Sequence, residues 1–119
     1  VHLVDVSLVG GYVYFPALTI DRSGNLWISY TSSSATQTAS SEISEVVGGH
    51  FGSSIGGYVY FTGPGSVSCT SFKTSPDRRW GDYSGISVDP GQNDRGVWAA
   101  AEYGEAGCSA GTGIGVFHS

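Results

Sequence analysis

The chain has 119 residues, 19 of them glycine, with five basic and ten acidic groups and a formal net charge of −5. That length suits one small domain. Glycine at about twice its usual ~7 % excludes long helices. The acidic balance argues against a nucleic-acid backbone or anionic lipid as partner, and no apolar run approaches the ~18 residues a membrane helix needs. What remains is a set of short β-branched and aromatic runs, so the predicted fold class is all-β, with a core filled largely by three Trp, seven Tyr and five Phe.

In chain order, residues 1–9 read as a strand with apolar residues at 1, 3, 4, 6, 8 and 9, broken by Gly10-Gly11. Residues 12–21 form the next strand. Pro16 inside it predicts an edge position or a strand starting after the proline, because proline has no N–H for a ladder. Asp21-Arg22-Ser23-Gly24-Asn25 is a turn, with Asp bonding its own backbone and Gly supplying a positive φ. Residues 26–31 return antiparallel, with Leu26, Ile28 and Tyr30 on one face and Trp27 and Ser29 on the other. Residues 31–42 hold eight Ser/Thr in twelve and read as a solvated loop, open to O-glycosylation if secreted. Residues 42–47 predict a short strand, 48–57 a loose glycine-rich segment containing His50, 58–62 a strand and 67–72 another. Residues 90–96 form a second turn, 97–103 a strand, 104–113 a loop, and 114–118 a last strand.

Two stretches share one plan. Phe15-Pro16-Ala17-Leu18-Thr19-Ile20-Asp21 leads through a turn to Leu26-Trp27-Ile28-Ser29-Tyr30. Tyr83-Ser84-Gly85-Ile86-Ser87-Val88-Asp89 leads through a turn to Val97-Trp98-Ala99-Ala100-Ala101. The offset is 68 residues from Phe15 to Tyr83 and 71 from Trp27 to Trp98. A recurring supersecondary unit points to a repeat architecture, in which one unit cannot close a core alone. Roughly two further strands between the hairpins would complete a four-stranded meander, as in a β-propeller blade. The predicted organisation is a single partial propeller segment over residues 1–119, with repeat units near 12–79 and 80–119.

The first hairpin, together with Arg79-Trp80-Gly81-Asp82-Tyr83-Ser84-Gly85, Val88-Asp89-Pro90, Val97-Trp98 and Glu102-Tyr103, resembles the secreted bacterial BNR/sialidase-like β-propeller proteins. The resemblance covers most of residues 12–103, and the run from Arg79 to Asp89 is its most specific part. It implies antiparallel propeller blades, with the Arg-Trp-Gly-Asp-Tyr run opening an innermost strand near the central channel. It implies fold more than function, since many members have no assigned activity. The chain departs from the sialidase Asp-box, Ser-x-Asp-x-Gly-x-Thr-Trp, because Gly24 and Trp27 stand at +3 and +6 from Asp21. Of a sialidase's arginine triad, Tyr/Glu nucleophile and Asp acid, only Arg78, Arg79, Glu102 and Tyr103 map. Glu102 and Tyr103 are adjacent, so on a strand they point to opposite faces.

Arg79, Trp80, Asp82 and Tyr83 are the candidate ligand-binding residues: an aromatic face suits a pyranose, and Arg and Asp suit its hydroxyls or a carboxylate. The competing reading is structural, with Asp82 capping a turn, Arg79 paired to it and Trp80 packed between blades. Asp21 and Asp89 recur at equivalent places; they read as turn formers, with acid–base work or Ca²⁺ binding as the alternative. Trp27 and Trp98 are both expected in the core. The histidines are scattered, and no metal-ligand spacing, Gly-x-Ser-x-Gly elbow or phosphate loop occurs, so no cofactor is expected. Cys69 and Cys108 are the only cysteines. A disulfide between them would close roughly 40 residues and stabilise by about 3–4 kcal/mol; two buried thiols are the alternative.

The expected protein is secreted or at the cell surface, a processed or excised piece that begins at Val1 and contains no Met. Its expected role is structural or glycan-binding, completed by further copies of itself or by the remainder of a cleaved chain. The alternatives are a sialidase-like glycoside hydrolase fragment and an immunoglobulin-like β-sandwich. The sandwich fits the order Cys69, Trp80, Cys108, but Ala106 stands where its tyrosine corner needs Tyr.

Overall fold

The computed structural model describes residues 10–48, 58–62, 83–105 and 109–119. They form seven strands: β1 (Gly11–Ile20), β2 (Leu26–Ser34), β3 (Ser40–Val46), β4 (Tyr58–Thr62), β5 (Gly85–Asp89), β6 (Gly96–Glu105) and β7 (Ser109–His118). The first sheet is an antiparallel meander in the order β1-β2-β3-β4, and the second is β5-β6-β7. The chain is therefore all-β, and no α-helix occurs among the described residues. The strands expected at 1–9 and 67–72 lie outside the described residues.

Pro16 sits at a bulge in β1, the edge strand of its sheet among the described residues. The register slips between Tyr14, opposite Thr31, and Ala17, opposite Ser29, so Phe15 and Pro16 face Tyr30 alone. Edge and bulge are both places where the missing proline N–H removes no ladder bond. The bulge puts Phe15 at φ 55, a region that costs an L-residue roughly 1–2 kcal/mol. The turn after β1 forms as expected: Gly24 takes φ 84 and its N–H bonds the Asp21 carbonyl at 3.0 Å.

Two expected loops are strand over much of their described length. The Ser/Thr-rich segment 31–42 carries β2 to Ser34 and starts β3 at Ser40, and Thr31, Ser32, Ser40 and Ser41 are fully buried. The hydroxyls that suggested solvent reach across to the second sheet. Thr31 Oγ1 donates to the Glu102 carbonyl at 3.0 Å, and Ser41 Oγ donates to the Ala101 carbonyl at 2.7 Å. Thr31 and Ser41 are cross-strand partners, so the two bonds lie side by side. The backbone joins in through Gly104 N–H to the Ala39 carbonyl at 2.8 Å. Small polar side chains allow this close approach and satisfy buried carbonyls. Of the expected loop 104–113, the described residues are likewise strand: β6 runs to Glu105 and β7 begins at Ser109, paired from Gly96↔His118 to Glu105↔Ser109.

The sheets stack face to face. Trp27 and Ile43 of the first pack against Val97 and Ala99 of the second, with Tyr60, Ile86 and Phe117 around them. Tyr60 is the extra residue of a bulge opposite Ser41 and Glu42. Its ring meets Phe117 edge to face at 5.0 Å, and its hydroxyl shares a 3.1 Å bond with Ser29 Oγ. Trp98 departs from its expected core position: it is 49 % exposed, against 4 % for Trp27. Alternation explains this, because Val97, Ala99 and Ala101 take the inward face of β6 and leave Trp98 outward.

Candidate functional site

Arg79, Trp80 and Asp82 lie outside the described residues, as do Arg78, Cys69, Cys108 and His50. Tyr83, the remaining member of the candidate set, is 83 % exposed just before β5. Its neighbour Ser84 donates through Oγ to the Phe15 carbonyl at 2.7 Å, so the segment leading into β5 is tied to the β1 bulge. Phe15 is the repeat equivalent of Tyr83, and the tie brings the two positions together. The Phe15 ring meets Tyr14 edge to face at 5.1 Å, and Tyr14 in turn donates to Ser33 Oγ at 3.1 Å. Tyr12, earlier on the same strand, is exposed. Phe15 and Tyr83 thus lie near one another where β1 meets β5, and Tyr12 is a further exposed ring on β1.

At the other end of the hairpins stand Asp21 and Asp89. Each accepts the backbone N–H two residues ahead: Ser23 N to Asp21 Oδ1 at 2.8 Å and Gly91 N to Asp89 Oδ1 at 2.9 Å. That matches the turn-forming reading. Asp21 does more. Its Oδ1 also takes Asn25 N–H, and its Oδ2 takes Asn25 Nδ2 and Trp27 Nε1, each at 3.0 Å. Burial works to raise the Asp21 carboxyl, but the bonds from Trp27, Asn25 and Ser23 prevail and hold it below its ordinary value. Four donors on its two oxygens engage Asp21 fully in its own turn. The two turns also touch, through Arg22 N–H to the Asp94 carbonyl at 2.8 Å.

Glu45 lies opposite Trp27 in the register. Its Oε1 is buried with no hydrogen-bond partner. Burial and then the charge of Asp21 push its carboxyl up.

The chain matches no family model, no curated protein and no solved structure.

Sequence reasoning missed Tyr12, Ser84 and Glu45. The Ser84 bond to Phe15 joins positions 69 residues apart and leaves no local trace. Tyr12 does carry a signal, since it opens the aromatic run Tyr12, Tyr14, Phe15. For Glu45 the alternation of β3 places it on the face of Ile43, which is a core face only once the sheets have stacked.

Proposed function

We propose that the two sheets are successive repeat units of a secreted β-propeller segment similar to the BNR/sialidase-like proteins, with a structural and glycan-binding role. One observation supports this reading above others. The hairpin registers coincide: Thr19↔Trp27 and Ile20↔Leu26 in the first match Ser87↔Trp98 and Val88↔Val97 in the second. Yet the sheets use opposite faces to meet. The first presents its Trp27 face, and the second presents Val97 and Ala99, which correspond to Leu26 and Ile28. That is head-to-tail stacking, the relation between neighbouring blades. A sandwich of two repeats meeting inner face to inner face would bury both Trp positions alike. Head-to-tail units do not close on themselves, so further copies or the remainder of a longer chain complete the stack.

The saccharide contact belongs to the exposed rings of Tyr83 and Phe15, with Tyr12 on the same strand as Phe15; Arg79, Trp80 and Asp82, expected to share it, lie outside the described residues. Exposed aromatic rings offer apolar faces to a pyranose, and the φ of 55 at Phe15 is the kind of local strain that collects at binding sites. The hydrolase alternative has less behind it, because Glu102 and Tyr103 are consecutive on β6 and face opposite ways. Isothermal titration of neutral and sialylated oligosaccharides into the chain tests the reading. Binding that Tyr83→Ala abolishes without changing the circular dichroism supports it. Absence of binding to any of them overturns the glycan role, and turnover of a fluorogenic sialoside would favour the hydrolase.

A further inference from the structure

Two sheet faces are partly open. On the outer face of the second sheet, Trp98 is 49 % exposed beside its cross-strand partner Val116, and Ile114 is 60 % exposed. On the far face of the first sheet, Leu18 and Ile20 of β1 are 60 and 61 % exposed. They share that face with Ile28 and Leu26, their partners on β2. Ile28 and Tyr30 are buried, so the open part is the β1 margin. Single exposed apolar side chains are ordinary, but contiguous ones mark a contact surface.

The repeat relates these faces to a contact the chain already makes. The registers pair Thr19 with Trp27 and Ser87 with Trp98, so Leu18 is the counterpart of Ile86 and Ile20 the counterpart of Val88. Trp27 is buried against Val97 and Ala99, and Ile86 packs against the same cluster. Ile86 and Val88 are partly buried, whereas their counterparts Leu18 and Ile20 are open. Trp98, the counterpart of Trp27, is open too. The internal contact is heterologous: the Trp face of one unit meets the opposite face of the next. Each side of it therefore has an uncovered equivalent on the other sheet. Those two equivalents face outward at opposite ends of the stack, so one chain cannot bring them together.

We propose that a second copy of this chain docks head to tail, with the Trp98 face of one copy against the Leu18 and Ile20 margin of the next. This repeats the contact between Trp27 and the second sheet. A heterologous contact does not close after two copies; it continues into a ring or a filament. A Trp seated among apolar side chains is a common anchor of such a contact. The inference rests on the stacked-repeat reading above and names the partner that completes the stack, but it does not depend on saccharide binding.

Sedimentation velocity of the chain across the micromolar range tests it. The wild type should run above one chain mass. Trp98→Arg and Leu18→Lys should each run at one chain mass with unchanged far-ultraviolet circular dichroism. Mixed in equal amounts, the two variants should form a two-chain species and nothing larger, because one keeps the Leu18 margin and the other keeps the Trp98 face. Ile114→Lys and Ile20→Lys stand in for Trp98→Arg and Leu18→Lys should either fail to fold. Folded single variants that still assemble, or mixed variants that stay monomeric, overturn head-to-tail docking. A monomeric wild type also overturns it and leaves the remainder of a longer chain to cover these faces. Saccharide binding by that monomer leaves the proposed function standing, and its absence removes both.

Discussion

Trp27 Nε1 donates to Asp21 Oδ2 at 3.0 Å, which ties the start of β2 to the turn that precedes it. The same carboxylate accepts from Ser23 and Asn25, and Asn25 Oδ1 accepts the Gly48 N–H at 3.0 Å. One buried side chain therefore organises the β1–β2 turn, and Asn25 extends that network to the end of β3. Asp21→Ala leaves several buried donors without an acceptor and should cost about 1–3 kcal/mol or more in urea unfolding. Asp89 caps only the short Pro90–Gln92 helical turn, so Asp89→Ala should cost about 1 kcal/mol. Equal losses at both sites would refute the distinction.

Asp21 and Glu45 make opposite contributions to pH dependence. The folded value of Asp21 lies below its unfolded value of ~3.9. Its stabilisation is present above that unfolded value and is lost as pH falls through the folded one. Glu45 is raised, so its contribution is present below ~4.3 and is lost as pH rises through its folded value. Glu45→Gln should therefore raise the melting temperature at neutral pH and leave it little changed in acid. A lower melting temperature at neutral pH would show that the Glu45 carboxylate is satisfied.

The inter-sheet seam depends on Thr31 and Ser41. Thr31→Val and Ser41→Ala should each cost about 1 kcal/mol, the net worth of a hydrogen bond. As direct cross-strand neighbours they should couple, so the double variant is expected to depart from additivity. Two near-neutral single variants would mean that the seam does not rely on these bonds.

Gly115 leaves room for an aromatic pair. A Cβ there would lie 2.5 Å from Phe117 Cζ and 3.4 Å from Tyr60 Cδ2. Gly115→Ala should cost about 1–3 kcal/mol as an overpacked core position. At Gly85 an added Cβ meets nothing within 4 Å, so Gly85→Ala should be neutral or slightly stabilising in thermal melts.

Tyr30 is buried, and its hydroxyl shares a 2.9 Å bond with Ser44 Oγ. Burial, with the nearby charge of Glu42, pushes the phenol up to about 12, even though the Ser44 bond works the other way. Burial also raises Tyr60. Ultraviolet titration should show a late phenolate step near pH 12 that Tyr30→Phe removes. Loss of native circular dichroism should accompany that step.

The sequence by itself determined the hairpins. Period-two alternation, an Asp at the strand end and a Gly-containing turn are local signals, and both hairpins they predicted form. Strand identity at 58–62 and the edge position of Pro16 were legible for the same reason. Of the candidate ligand set, the structure describes only Tyr83, whose place beside Phe15 depends on a bond spanning 69 residues. Tertiary structure alone decided which surfaces are covered. Trp27 and Trp98 look alike in sequence, and one is buried only because a second sheet lies against it. The hydroxyls of residues 31–42 look solvated because water and a distant carbonyl satisfy them equally well. Local pattern dictates how a strand pairs, but the partner of its free face comes from elsewhere in the fold.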